Sequence, residues 1–113
     1  MKDIRGVFDI PNDIFNDYMI EALELYLFLG IIPGSYTTAL LSGNLYLASC
    51  RADHQNAPMM SKQAKWIYLA FPNGSFGNED NFKNWCNDTN NIRSNWADTQ
   101  KTAHMWKILQ GAA

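Results

Sequence analysis

Hydroxyl, aromatic and basic side chains are concentrated in the middle of the chain. A Pro-Gly-Ser turn precedes a predicted helix start, where free backbone N–H groups can hold a phosphate. We expect Ser35 and Thr38 to contact phosphate and Arg51 to supply positive charge. Aromatic rings stack on bases and lysines meet phosphates, so Tyr36 or Trp66 would hold the base. The predicted ligand-binding residues are Ser35, Tyr36, Thr38, Arg51, Asp53, Lys62 and Trp66.

Each of these features also has a purely structural interpretation. Ser35 can cap the helix that follows a simple turn. Trp66 can pack on a neighbouring helix or at a subunit interface instead of stacking on a base. Arg51 and Asp53 can form an ion pair at a helix end. The two interpretations place the same side chains differently, in a recess or in the core.

Acidic side chains recur at intervals of four near the N-terminus, which places them on one face of a helix. Residues 1–34 carry two basic and six acidic side chains, a net charge of −4, whereas residues 35–113 carry seven basic and five acidic, a net charge of +2. Such a face is either simply solvated or docks onto a basic partner, as an inhibitor that imitates nucleic acid would. The residues for protein docking are Asp13, Asp17, Glu21 and Glu24.

The chain has few residues suited to metal binding or nucleophilic catalysis. Cys50 and His54 are four residues apart and can meet on one helix face, but no third group orients them and no oxyanion site accompanies them. Cys86 and His104 are isolated, and no C-x-x-C or H-x-x-x-H pair occurs. We therefore expect no catalytic residue, no metal and no cofactor, and a protein that is not an enzyme.

Composition indicates one folded domain in a reducing compartment. The 113 residues are 47% hydrophobic and carry a net charge of −2, which excludes a disordered chain and a general binder of nucleic acid or anionic membranes. Two cysteines are too few for a disulfide scaffold, and the N-terminus does not match a signal peptide. The most apolar stretch, residues 18–33, contains Glu21 and Glu24, which is untypical of a membrane span. We expect a cytoplasmic protein.

Apolar residues at intervals of three and four predict an all-α fold, a small irregular bundle of five to six helices. The domain would comprise an N-terminal arm at 1–10, core helices within 11–87 and a C-terminal helix at 97–110, with a polar linker at 89–95. Ser35 would cap the second helix and Gly30 would end the first in a left-handed conformation. The predicted core helices span 11–29, 36–41, 45–53, 58–71 and 79–87.

The same periodicity predicts which faces are buried. Phe82 and Trp85 should be buried by the helix at 79–87. The helix at 58–71 should present Lys62, Lys65, Trp66 and Leu69 on its outer side. The predicted inward stripes are Ile14, Tyr18, Ala22, Leu25 and Leu29 in the first helix, and Met60, Ala64, Ile67, Tyr68 and Phe71 in the fourth.

Residues 20–86 resemble a family of small phage proteins. The resemblance is carried by Gly30-Ile-Ile-Pro-Gly-Ser-Tyr36, Asn44-Leu45, Arg51-Ala-Asp53 with Asn56, Lys65-Trp-Ile-Tyr68 with Pro72, Phe76-Gly77 and Trp85. It implies a viral origin and, by association, a role against host defence. We therefore expect a stoichiometric binder that sequesters a nucleotide-type signalling molecule. The alternative is an anti-CRISPR or anti-restriction inhibitor that binds a host protein through the acidic helix face. A helical protein this small offers little concave surface, so we expect a homo-oligomer with its pocket near the subunit interface.

Overall fold

The computed structural model of the chain describes residues 10–100, and all regular structure in that range is helical. The all-α prediction is therefore confirmed. The predicted arm lies outside the described residues except for Ile10, as does the part of the predicted C-terminal helix beyond residue 100. The helices are α1 (Asp17–Leu29), α2 (Ser35–Leu41), α3 (Leu45–Arg51), α4 (Met60–Ala70), α5 (Glu79–Cys86) and α6 (92–100), with 3₁₀ turns at Ala57–Met59 and Thr89–Asn91.

Helix α1 begins six residues later than the sequence predicts. Asn16 lies in extended conformation, and its side-chain oxygen accepts a hydrogen bond from the backbone N–H of Met19 at 2.8 Å. An asparagine cap of this kind satisfies a free N–H at the helix start, so the segment from Pro11 to Phe15 remains a series of turns. The predicted end is confirmed, since Gly30 follows Leu29 with a φ of 69°.

The face that α1 buries is not the predicted one. The buried apolar residues are Met19, Leu23, Tyr26, Leu27 and Phe28, whereas Tyr18 is 80% exposed and Leu29 is 42% exposed. Apolar residues occur around most of this helix, so periodicity alone does not select a side. Contacts with α5 settle the choice: the indole Nε1 of Trp85 donates to the carbonyl oxygens of Tyr26 and Leu27 at 3.1 and 3.2 Å.

Helices α2 and α3 are short, consecutive and packed against each other. The residue that precedes α2 is Gly34, so Ser35 is the first helical residue and not the predicted cap. Asn44 starts α3 by accepting from the N–H of Leu47 at 3.0 Å. Helix α3 ends at Arg51, two residues early, because Ala52 is extended and the Asp53 carboxylate accepts from the backbone N–H groups of residues 55 and 56.

Two side chains of α4 differ in exposure from the prediction. Tyr68 is 72% exposed instead of buried. Trp66 is only partly exposed, and its ring meets Phe15 and Phe71 edge-on at centroid distances of 5.4 and 5.7 Å. The helix is therefore rotated relative to the predicted stripe, which places the buried amide of Gln63 inward.

Helices α5 and α6 are joined more tightly than predicted. Asn78 caps α5 by accepting from Asn81 N–H at 2.7 Å, and Phe82 and Trp85 are buried, as expected. The predicted polar linker is wrong, because a helix starts at residue 92. The Asp88 carboxylate explains this start, since it accepts from the backbone N–H groups of Arg93 and Ser94 and from the Ser94 hydroxyl.

The turn between α4 and α5 supports the end of α2. The backbone N–H of Gly77 donates to the carbonyl of Leu41 at 2.8 Å, and the hydroxyl of Tyr26 donates to the carbonyl of Ser75 at 2.6 Å. Gly43 lies so close that a Cβ there would be 2.3 Å from the carbonyl oxygen of Gly77. These contacts position α2 beside α5, with a groove between them.

Candidate functional site

Two grooves adjoin at the start of α2. The large groove has a volume of about 990 Å³ and runs from the 32–35 loop, past α2 and the end of α3, to α5. The small groove, about 200 Å³, lies between the starts of α1 and α2 and the segment after α3. Ser35 and Arg51 belong to both, so they stand where the two grooves meet.

The large groove combines cations, hydroxyl groups and apolar surface. Thr38 and Ser42 contribute hydroxyls from α2 and its C-terminal end, and Ile32, Leu47 and Phe82 contribute apolar atoms. The Thr38 hydroxyl donates to the carbonyl of Pro33 at 3.1 Å, which leaves its oxygen lone pairs able to accept.

The described side chains that line the large groove include two cations and one carboxylate, so their net charge is positive. Lys83 pairs with Glu79 at 3.0 Å across one turn of α5, and both side chains are largely exposed. Within residues 10–100, Arg51 forms no ion pair. An exposed guanidinium presents five N–H donors in a planar fork that suits phosphate and carboxylate oxygens. The groove can therefore hold an anionic group at Arg51 and a less polar group along its apolar side.

Tyr36 lies in the wall of the small groove, but its ring is buried. Its hydroxyl donates to Oε1 of Gln63 at 2.6 Å. The Gln63 amide nitrogen in turn donates to the carbonyl of Ile14 and to Oδ1 of Asn56, both at 3.1 Å. Burial, with a smaller contribution from the Asp53 carboxylate, raises the pKa of Tyr36 to about 12. Tyr36 is thus a neutral structural hydrogen-bond donor and offers no free face for a base.

The structure does not bring all of the predicted ligand-binding residues together. Asp53 lines the small groove, with its carboxylate engaged by the backbone N–H groups of Gln55 and Asn56. Lys62 and Trp66 line neither groove. Lys62 is exposed on α4, and Trp66 packs against aromatic side chains. Of the seven residues, Ser35, Thr38 and Arg51 therefore remain candidates for direct ligand contact.

The sequence pattern did not predict the apolar wall of the large groove or the lysine on α5. Leu47 lies four residues before Arg51 on α3, at the spacing of one helix face, whereas Ile32 and Lys83 come from separate segments that no spacing relates to Arg51. One sequence signal was present: Ile31-Ile32 forms an apolar pair between a helix end and a proline, outside any periodic stripe. Ile32 is 66% exposed, which is unusual for a large apolar side chain.

One of the four residues predicted for the acidic docking face is buried. Asp13, Asp17 and Glu21 are exposed, whereas Glu24 is only 4% exposed. Glu24 lies on the side of α1 that faces the core, because the helix is rotated relative to the predicted stripe. Asp9, which precedes Asp13 by four residues in the sequence, lies outside the described residues.

The cysteine and histidine pair is not assembled into a reactive site. Cys50 is exposed near the end of α3, and His54 follows that end, so the two do not share a helix face. Burial raises the pKa of the Cys86 thiol, and the nearby Arg93 guanidinium opposes that rise. In the part of the chain that the structure describes, no three His, Cys, Asp or Glu side chains are grouped to hold a metal ion. His104 lies outside it.

The chain matches no protein-family model, no curated protein and no solved structure. Among residues 10–100, no helix has both the length and the apolar character needed to cross a membrane. The charge, shape and composition of the grooves are therefore the basis on which a function can be proposed.

Proposed function

We propose that this protein works by stoichiometric binding and not by catalysis, and that it sequesters an anionic small molecule of the nucleotide type in the large groove. One observation carries the proposal: Arg51, which forms no ion pair among the described residues, lines the same groove as the Ser35 and Thr38 hydroxyls. A phosphate group would accept from the Arg51 guanidinium and from the Ser35 hydroxyl, while the Thr38 oxygen, whose proton is held by the Pro33 carbonyl, would accept from an N–H or O–H of the ligand. Lys83 lies at the α5 side of the groove, where it pairs with Glu79.

The shape of the groove is consistent with a ligand that is larger than a free phosphate. Its volume of about 990 Å³ is at the upper end of typical small-molecule sites. Ile32 and Leu47 offer apolar surface to a base or sugar, while the polar groups fix the phosphate end. Tyr36 is buried and Trp66 packs on Phe15 outside the groove, so the base would lie on aliphatic side chains instead of stacking between rings.

The biological role that fits such a binder is the removal of a host signalling nucleotide during phage infection. The resemblance to small phage proteins supports this role by association. A sequestering protein needs one ligand site per chain and a ligand that leaves chemically unchanged. The absence of a chemical change in the ligand distinguishes this proposal from any enzymatic one.

Titration calorimetry against a panel of linear and cyclic nucleotides tests the proposal. We expect at least one of them to bind the wild-type protein at one molecule per chain. Arg51→Ala should weaken that binding about 10-fold or more, since a charge-assisted hydrogen bond contributes about 1.5–3 kcal/mol. His54→Ala, which removes an exposed polar side chain outside both grooves, is the control and should bind as the wild type does.

Two results would contradict the proposed function. One is that no nucleotide in the panel binds the folded wild-type protein. The other is that Arg51→Ala and His54→Ala bind the ligand equally well, because the ligand would then lie elsewhere. Recovery of a chemically altered ligand after incubation would overturn the non-catalytic part of the proposal.

A further inference from the structure

We propose that two copies of this chain associate by packing the outer face of α1 from one copy against the outer face of α4 from the other. Both faces are unusually apolar for solvent-exposed helices, and they carry opposite charges. The inference does not depend on the proposed function, because it uses exposed surface and no ligand.

The outer face of α1 continues into the loop that follows the helix. Tyr18 is 80% exposed and Leu29 is 42% exposed, and the loop adds Ile31 at 47% and Ile32 at 66%. Tyr18 and the two isoleucines, together with Ala22 and Leu25, flank a shallow depression of about 340 Å³ that also contains Glu21. Contiguous apolar surface of this kind is typical of an interaction site.

The charge on the α1 face is negative. Glu21 is exposed in the middle of the apolar residues, and Asp17 is exposed one turn earlier. In the part of the chain that the structure describes, neither carboxylate forms an ion pair with a lysine or arginine. A partner that covers this face must therefore supply both apolar side chains and cations.

The outer face of α4 supplies both. Lys62, Lys65 and Leu69 are three and four residues apart, so they share one side of the helix, and Tyr68 lies beside them. Leu69 is 71% exposed and Tyr68 is 72% exposed. Within residues 10–100, Lys62 and Lys65 form no ion pair. The apolar contacts would supply most of the affinity, and the charges would select the partner.

Charge and length together select pairing between unlike faces. Packing α1 on α1 would oppose carboxylates, and packing α4 on α4 would oppose ammonium groups, both of which are unfavourable. At about 1.5 Å per residue, the 13 residues of α1 span about 20 Å and the 11 residues of α4 about 16 Å, so the two faces match in length. A second copy of the chain is therefore the occupant whose chemistry fits. Contact between two short helices is small, so the association should be weak.

Sedimentation equilibrium between about 10 µM and 1 mM, the range suited to a weak interface, tests this inference with a charge exchange. Glu21→Lys places a lysine opposite Lys65, and Lys65→Glu places a glutamate opposite Glu21. Each variant alone should associate at least 10-fold more weakly than the wild type. An equimolar mixture restores opposite charges at every contact, so it should associate within about two-fold of the wild type.

Asp80→Lys is the control, since it makes the same charge change as Glu21→Lys at an exposed position on α5. It should associate as the wild type does, and circular dichroism should show all variants to be folded. Four results would overturn the inference: a wild type that stays monomeric up to the highest concentration, single variants that associate normally, a mixture as weak as its components, or an equal loss in the control.

Discussion

At the scale of single residues, the most informative group is the buried amide of Gln63. It accepts from the Tyr36 hydroxyl and donates to Ile14 and Asn56, so it links α4 to α2 and to the segments before α1 and α4. A buried polar group of this kind is stable only while its partners are present. The small groove is therefore held in shape by hydrogen bonds beneath its surface.

Tyr36→Phe should destabilise the protein by about 1–2 kcal/mol, because Gln63 Oε1 loses its donor while remaining buried. Urea denaturation measures the difference. Tyr46→Phe is the matched control: Tyr46 is 83% exposed, so its change should stay within about 0.5 kcal/mol. Equal stability of the two variants would show that the Tyr36 hydroxyl contributes nothing in the folded state.

The raised pKa of the Tyr36 hydroxyl predicts that the protein loses stability at alkaline pH. Burial raises the pKa of Tyr36 from an ordinary value of 10.0 to about 12, and burial also raises the pKa of Tyr26. Above pH 10 the unfolded chain therefore binds fewer protons than the folded one, and the free energy of unfolding decreases as pH rises. The contribution from Tyr36 is fully present below pH 10 and is lost by about pH 12.

Urea denaturation at several pH values between about 9 and 12 measures this decrease. The decrease should be less steep in Tyr36→Phe than in the wild type, since that variant loses the Tyr36 contribution and keeps those of Tyr26 and Cys86. Identical slopes for the two proteins would contradict the assignment of the shift to Tyr36.

At the scale of helices, the junction between α1 and α6 depends on the lack of a side chain at Gly30. Arg93 Nη1 donates to the carbonyls of Trp85 and Cys86 at 3.0 and 2.8 Å, which satisfies the end of α5. A Cβ at Gly30 would lie 1.6 Å from that nitrogen, and the φ of 69° at Gly30 is itself unfavourable for other residues. Gly30 thus allows α1 to end and Arg93 to reach α5.

Gly30→Ala should therefore destabilise the fold by about 2–4 kcal/mol, through backbone strain and displacement of the guanidinium. Gly34→Ala is the comparison, because Gly34 has a φ of −62° and a Cβ added there would meet no atom within 4 Å. Its effect should stay within about 1 kcal/mol. Thermal unfolding of the two variants gives the difference, and a Gly30→Ala protein as stable as Gly34→Ala would contradict this account of the junction.

The pattern of apolar residues predicts which segments are helical, but it does not predict how each helix is rotated. The end of α1 at Gly30 follows from local chemistry and is confirmed, and the cap of α5 at Asn78 is likewise a local contact. The buried face of α1 depends on the indole of Trp85, nearly 60 residues away in sequence. Trp66 is more buried and Tyr68 more exposed than predicted, again because of residues from elsewhere in the chain. Phe15 and Phe71 form the surface against which Trp66 packs.

The candidate site was predictable only in part, for a related reason. Ser35, Thr38 and Arg51 stand out by residue type close to a turn and a helix end, and they do line one groove. The partner of the Tyr36 hydroxyl is 27 residues away, so the sequence could not distinguish a stacking ring from a buried one. The contribution of Lys83 depends on the packing of α5 against α2, which no local spacing reports.

At the scale of the whole molecule, the loop at 31–35 connects the two surfaces that we assign to binding. Ile32 lies both on the outer face of α1 and in the wall of the large groove. A second copy seated on α1 would therefore lie next to a ligand in the groove. The two proposals remain separable, because Glu21→Lys changes no residue of the large groove and Arg51→Ala changes neither docking face.

The most direct test of the central claim identifies the ligand and its site together. Purified wild-type and Arg51→Ala proteins are each incubated with a small-molecule extract of bacterial cells, freed of unbound material by gel filtration, and denatured. Mass spectrometry of the released molecules should show a phosphate-bearing nucleotide species at about one per wild-type chain and at least 10-fold less from Arg51→Ala. Release of no such molecule by the wild type, or of equal amounts by both proteins, would contradict the account.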